Sequence, residues 1–180
     1  MGQTVARPGA FGYPQAMQLD YEGLFKALNG AGIRYLLTGG VAVNFHGLPR
    51  MTFDVDLIVL FERENLEKLT ALLEGLGYRP RLPVAAAGLA DPALREEWRR
   101  EKGLLAFTFM HPSQPMAEVD VMLDTPAPFE ELVARGLTMP FGQTTVPLIS
   151  RKDLIATKLG SPRQQDICDV EALRRLGDGS

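Results

Sequence analysis

Cysteine is almost missing from this sequence: Cys168 is the single one in 180 residues. One thiol excludes an intrachain disulfide, and a chain without such a staple suits a reducing cytoplasm. The helix-like run around Cys168 predicts a small buried apolar side chain there. Histidine is nearly as scarce, with two residues, His46 and His111, neither placed as the base of a nucleophile. His46 reads as a partly buried structural residue on a short helix, and His111 marks the end of a strand. No run approaches the roughly 18 apolar residues that a membrane helix needs. The first residues, MGQTVARPGAFGYPQ, lack the continuous apolar segment of a secretion signal. Positive charge is not in excess either. The net charge of -3 gives no overall basic field toward nucleic acid. The densest basic run, REEWRREKG (95–103), reads as a solvated amphipathic helix with Trp98 and Leu94 turned inward.

What is present is an ordinary globular composition, 46% hydrophobic and 23% charged, in a chain long enough to bury a core. Glycine and proline in the first 18 residues predict an irregular arm, followed by one domain over 19–180. DYEGLFKALNGAG places Leu24, Phe25 and Leu28 on one helical face. IRYLLTG reads as a short buried strand that enters a short helix, GGVAVNFHG. DVDLIVLF is a strand whose continuous apolar end implies burial on both faces. In ERENLEKLTALLEGLG the leucines follow the helical period and Gly77 ends the helix. YRPRLPV is expected at a sheet edge because of its prolines, and AAAGLADPA as a loop. LLAFTFMH and MAEVDVML read as consecutive strands, PAPFEELVARG as a helix, and LTMPFGQTTVPLI as a hairpin turning near Gly142. Two helices over 150–176 close the chain, the first capped by Ser150 with Asp153 three residues on. The fold class is α/β (α+β), a mixed sheet flanked by helices with a short helical C-terminal part.

Chemistry concentrates in a few acidic residues. Asp54 and Asp56 are two apart on a strand, so both side chains point to one side. Carboxylates held that close repel unless a proton or a cation lies between them. Magnesium takes oxygen ligands, typically one or two carboxylates together with substrate phosphates. Gly39 and Gly40 end the preceding strand and open a helix, a turn whose free backbone N–H groups suit phosphate. In AEVDVML, Asp120 faces away from Val119 and Val121, and a neighbouring strand would let it complete a three-carboxylate cluster. Such a cluster beside a phosphate-cradling turn suits two-metal phosphoryl transfer.

The spacing of Gly39-Gly40, thirteen residues and Asp54-Val55-Asp56, with a later strand aspartate, resembles the nucleotidyltransferase superfamily that includes DNA polymerase beta. More narrowly, Gly39, Gly40, Ala42, Gly47, Arg50, Thr52, Asp54 and Asp56 are similar to the motif of small bacterial nucleotidyltransferases related to abortive-infection and toxin–antitoxin proteins. Asp153, Lys158, Arg163, Asp166 and Asp169 match the closing motif of that group, and the resemblance covers about residues 33–175. It implies a nucleotidyltransferase fold with two magnesium ions held by Asp54, Asp56 and Asp120. Gly39, Gly40, Arg50 and Lys158 would hold the triphosphate of a nucleotide such as ATP, Asp120 would help deprotonate the acceptor, and Asp166 and Asp169 would be structural. The implied reaction moves a nucleoside monophosphate from a nucleoside triphosphate to a hydroxyl on a tRNA end, a protein side chain or a small molecule. A partner protein of a toxin–antitoxin pair is also implied. The rival from another class is a nucleotidyltransferase-like module, an antitoxin or regulatory subunit that binds without catalysing. A metal-dependent phosphohydrolase is disfavoured by the glycine pair and the lack of histidine ligands.

Overall fold

The computed structural model describes residues 20–159 and 161–176, so the expected N-terminal arm lies outside the described residues. The first helix, α1 (Tyr21–Gly30), starts at Asp20, whose side chain accepts a hydrogen bond from the Gly23 N–H, and buries Leu24, Phe25 and Leu28. It leads to β1 (Tyr35–Thr38), buried along its whole length, and directly into α2 (Gly39–Phe45). Next come β2 (Val55–Val59), α3 (Arg63–Gly75) and the two-residue β3 (Arg79–Pro80). A 3-10 turn (Ala86–Ala90) occupies the stretch expected as a loop, because its Ala86 and Leu89 are buried. Then follow α4 (Pro92–Lys102), β4 (Ala106–His111), β5 (Gln114–Met122), α5 (Phe129–Arg135) and the hairpin of β6 (Leu137–Phe141) and β7 (Thr144–Leu148). The last helices are α6 (Arg151–Lys158) and α7 (Gln164–Arg175).

The strands form one mixed seven-stranded sheet in the order β3-β4-β5-β2-β1-β7-β6. β2 runs antiparallel to β1 and parallel to β5, whereas β1 pairs in parallel with β7. The proline-bearing β3 lies at an edge, where a missing N–H costs no ladder bond. One side of the sheet is sealed by leucines of α3 (Leu66, Leu69, Leu73) and by Trp98 of α4, whose ring lies 5.3 Å from that of Phe107. Phe25 of α1 stacks on Tyr35 at 6.4 Å. Each such large side chain contributes about 2 kcal/mol by leaving water.

Strand alternation then decides what remains open. Val55, Leu57, Val119 and Val121 are completely buried, while Asp56, Glu118 and Asp120 between them lie on the partly open face. One expectation fails at α7. Its buried face is Asp166, Asp169, Val170 and Leu173, so Cys168 falls on the opposite side and is exposed rather than buried.

Candidate active site

The site is assembled from the ends of three adjacent strands. Antiparallel pairing sets Thr38 of β1 opposite Asp56 of β2, and parallel pairing sets Asp56 opposite Asp120 of β5. Thr108 of β4 pairs with Asp120, which extends the row across the sheet. Asp54, just before β2, completes the trio of aspartates that the sequence singles out.

The glycine pair fits this row closely. Gly39 has φ +64°, and a Cβ there would collide with the Asp56 carboxylate. A Cβ on Gly40 would fall 2.6 Å from Thr52 Oγ1. The Gly40 N–H donates to Asp56 Oδ2 at 3.4 Å. So the glycines make room for one of the two aspartates, which links the two halves of the motif physically. Tyr21 ties α1 to the same loop, its hydroxyl donating to the carbonyls of Thr52 at 3.3 Å and Phe53 at 3.4 Å.

Electrostatics shows how crowded the carboxylates are. Burial, then repulsion from Asp120 and Asp54, pushes the Asp56 carboxyl up to about 6, although Gly40 and Lys158 pull the other way. Burial and Asp120 also raise Asp54, against the pull of Arg81 and Arg50. Asp120 Oδ1 is buried with no hydrogen-bond partner. Among the described residues no three Asp, Glu, His or Cys side chains converge as a ready-made metal cage. An open set still suits magnesium, which keeps waters and substrate phosphates among its ligands. A buried carboxylate oxygen without a donor, beside two carboxyls that its charge repels, fits such an ion.

The cations predicted to meet the triphosphate are tied to α7. Lys158 is buried, with its ammonium 2.7 Å from Asp166 and 2.8 Å from Asp169. Asp169 also pairs with Arg50, whose Nε is buried without a partner. Arg50 lies against Gly40, since a Cβ there would come within 3.2 Å of its guanidinium carbon. Asp166 accepts further from Ser161 and Arg163, each at 2.7 Å. Burial would raise the Asp166 carboxyl, but bonds from Lys158 and Ser161 outweigh it and hold the group below its usual range. Asp166 thus pairs with Arg163, while Asp169 joins the loop before β2 to the last helix. Asp153 serves structure: it accepts from Ser150 at 2.6 Å and takes both nitrogens of an Arg135 fork at 3.0 Å.

His46 is structural, its Nε2–H donating to the Ile149 carbonyl at 2.9 Å. Two participants went unnoticed in the sequence. Arg81, after β3, pairs with Glu118 and acts electrostatically on Asp54. Thr38 lies one strand over from Asp56. Neither carries a local signal, because strand pairing alone brings them to the site.

A parallel-paired aspartate row beside a strand–Gly-Gly–helix turn, on a mixed sheet, defines a nucleotidyltransferase. The chain belongs to the nucleotidyl transferase AbiEii toxin family of type IV toxin–antitoxin systems, whose model matches residues 24–179. Solved structures agree on the fold. A lincosamide antibiotic adenylyltransferase with lincomycin bound is 16% identical, with a TM-score of 0.57 over 88% of this chain and 99% of that one. A nucleotidyltransferase-like antigen of Paracoccidioides brasiliensis is 19% identical, with a TM-score of 0.51 over 86% of this chain and 73% of that one. The antibiotic-resistance factor ANT(2'')-Ia is 13% identical, with a TM-score of 0.53 over 86% of this chain and 80% of that one. No curated protein matches the chain. Among the described residues no helix is long and apolar enough to cross a membrane.

Proposed function

We propose that this nucleotidyltransferase transfers a nucleoside monophosphate to a hydroxyl acceptor in a magnesium-dependent reaction. The observation that carries this reading is the in-register pairing of Asp56 with Asp120, whose Oδ1 has no partner. Asp54, Asp56 and Asp120 are the residues to hold magnesium, which when bound supplies charge neutralisation to the phosphates and acidity to the attacking hydroxyl. The chain's own contribution is placement. The turn at Gly39 and Gly40 borders the aspartates and offers backbone N–H groups to the triphosphate. Arg50, paired with Asp169, adds positive charge beside that turn, while Lys158, buried between Asp166 and Asp169, acts electrostatically on Asp56. The acceptor oxygen forms a bond to the α-phosphorus, the bond to the bridging oxygen breaks, and pyrophosphate leaves. Asp120 is placed to take the acceptor proton.

A small molecule, a tRNA end and a protein side chain all remain acceptors of this class. The family supports a toxin role opposed by an antitoxin protein, and the fold is shared with an antibiotic adenylyltransferase. The domain extends over residues 19–180 in this reading, with 150–176 as its helical closure.

The test is incubation with magnesium and each α-labelled nucleoside triphosphate, with tRNA, cell extract or neither. Label should move to an acceptor, and Asp54→Asn with Asp56→Asn should abolish the transfer by at least about a thousandfold. Binding of nucleotide with no transfer to any acceptor would favour the non-catalytic module.

A further inference from the structure

The residue with the least explanation on the site face is Thr38. It is 2% exposed, yet its hydroxyl has no hydrogen-bond partner. Buried hydroxyls are seldom left so. Thr38 stands at the N-cap of α2, where a threonine normally accepts from the first turn of the helix, and its side chain makes no such bond. Instead its strand position sets it opposite Asp56, on the same face and in the same cross-sheet row. Asp56 is itself held loosely, since the 3.4 Å bond from the Gly40 N–H is long for a donor of that kind.

We propose that Thr38 is a positioning residue that acts through Asp56. Its hydroxyl would donate to the Asp56 carboxylate when that group holds magnesium. The hydroxyl is buried, so a substrate cannot reach it, and the polar neighbour that strand pairing gives it is the carboxylate. In the unloaded protein the donor is idle, and on loading it fixes the rotation of a ligand that must otherwise be ordered at the moment of binding. Groups that orient a metal's ligands in this way typically change metal affinity by ten- to a hundredfold. The inference rests on the magnesium-dependent reading of the site.

The test uses the full chain and three variants, Thr38→Val, Thr38→Ser and Asp56→Asn. The readouts are the magnesium concentration that half-saturates binding of a non-hydrolysable nucleoside triphosphate analogue, and the melting temperature without metal. Valine keeps the shape and removes an oxygen that bonds nothing, so Thr38→Val should melt no lower than the unaltered protein. It should nevertheless need about tenfold more magnesium, while Thr38→Ser stays within about twofold. An unchanged magnesium requirement in Thr38→Val overturns the proposal. So does a Thr38→Ser protein as impaired as Thr38→Val, or a weakened affinity that merely tracks a lower melting temperature. If the unaltered protein shows no magnesium-dependent binding that Asp56→Asn removes, the transferase reading itself falls, which is a separate result.

Discussion

Gly39 shows how much a single missing atom decides. A side chain there would have to accept φ +64° and occupy the space of the Asp56 carboxylate. Gly39→Ala should therefore destabilise the protein by about 2 kcal/mol or more, adding displacement of Asp56 to the backbone strain. Urea unfolding measures the loss, and nucleotide binding should vanish even where the variant remains folded.

Asp56 illustrates a cost of function. Without metal its carboxyl keeps a proton up to about pH 6, whereas an unfolded chain releases it near 3.8. Between those values the native state binds more protons, so this group stabilises the fold at low pH. That contribution is complete below about 3.8 and is lost as pH rises through about 6. Taken whole the shift is worth about 3 kcal/mol, which solvent at the open face reduces to about 1–2 kcal/mol. Asp56→Asn should therefore melt higher than the unaltered metal-free protein above pH 6, with the gap closing toward pH 4. Thermal scans across that range give the sign directly. Activity should move the opposite way, rising as Asp56 loses its proton.

At the scale of elements, α7 is less an appendage than a clamp. Asp169 joins Arg50, Lys158 and Gln165, bringing the loop before β2, the end of α6 and α7 into one buried charge network. Asp169→Asn leaves the buried Lys158 and the partly buried Arg50 short of their shared carboxylate and should cost about 3–5 kcal/mol. Lys158→Met should cost less, because Arg163 and Ser161 still serve Asp166 and Arg50 still serves Asp169. Equilibrium unfolding of the two variants separates these expectations. This network also marks where sequence reading stops. A helix carrying Lys158 and a helix carrying Asp166 and Asp169 are visible from periodicity and caps. That the lysine is buried between them follows from the packing of α6 on α7, which no local pattern encodes. Cys168 shows the same gap, since its exposure depends on which face of α7 is docked.

For the whole molecule, the legible part was the alternation that turns Asp54, Asp56 and Asp120 away from valines. The strand order was not legible. Nothing near Asp120 says that β5 passes β4 and pairs in parallel with β2, and nothing near Arg81 says that β3 lies beyond β4 at the edge of the same sheet. The row of Thr38, Asp56, Asp120 and Thr108 exists only after the sheet is complete. Magnesium together with a nucleotide should stabilise the fold through mass action, by about 2.7 kcal/mol at a hundred times its dissociation constant, and so raise the melting temperature. The protein bearing Asn at positions 54, 56 and 120 should show no such rise.

The parallel contact between β2 and β5 bears on how the protein is made. Its two aspartates are separated along the chain by α3, β3, α4 and β4, and Arg50 is not fixed until α7 is in place. A ribosome synthesises the N-terminal portion first, so a nascent chain ending before Asp120 has the glycine turn but no paired carboxylates. One ending before Asp169 leaves Arg50 without its carboxylate partner. On the reading proposed above, transfer activity therefore arrives late in synthesis, once Asp120 has joined Asp56.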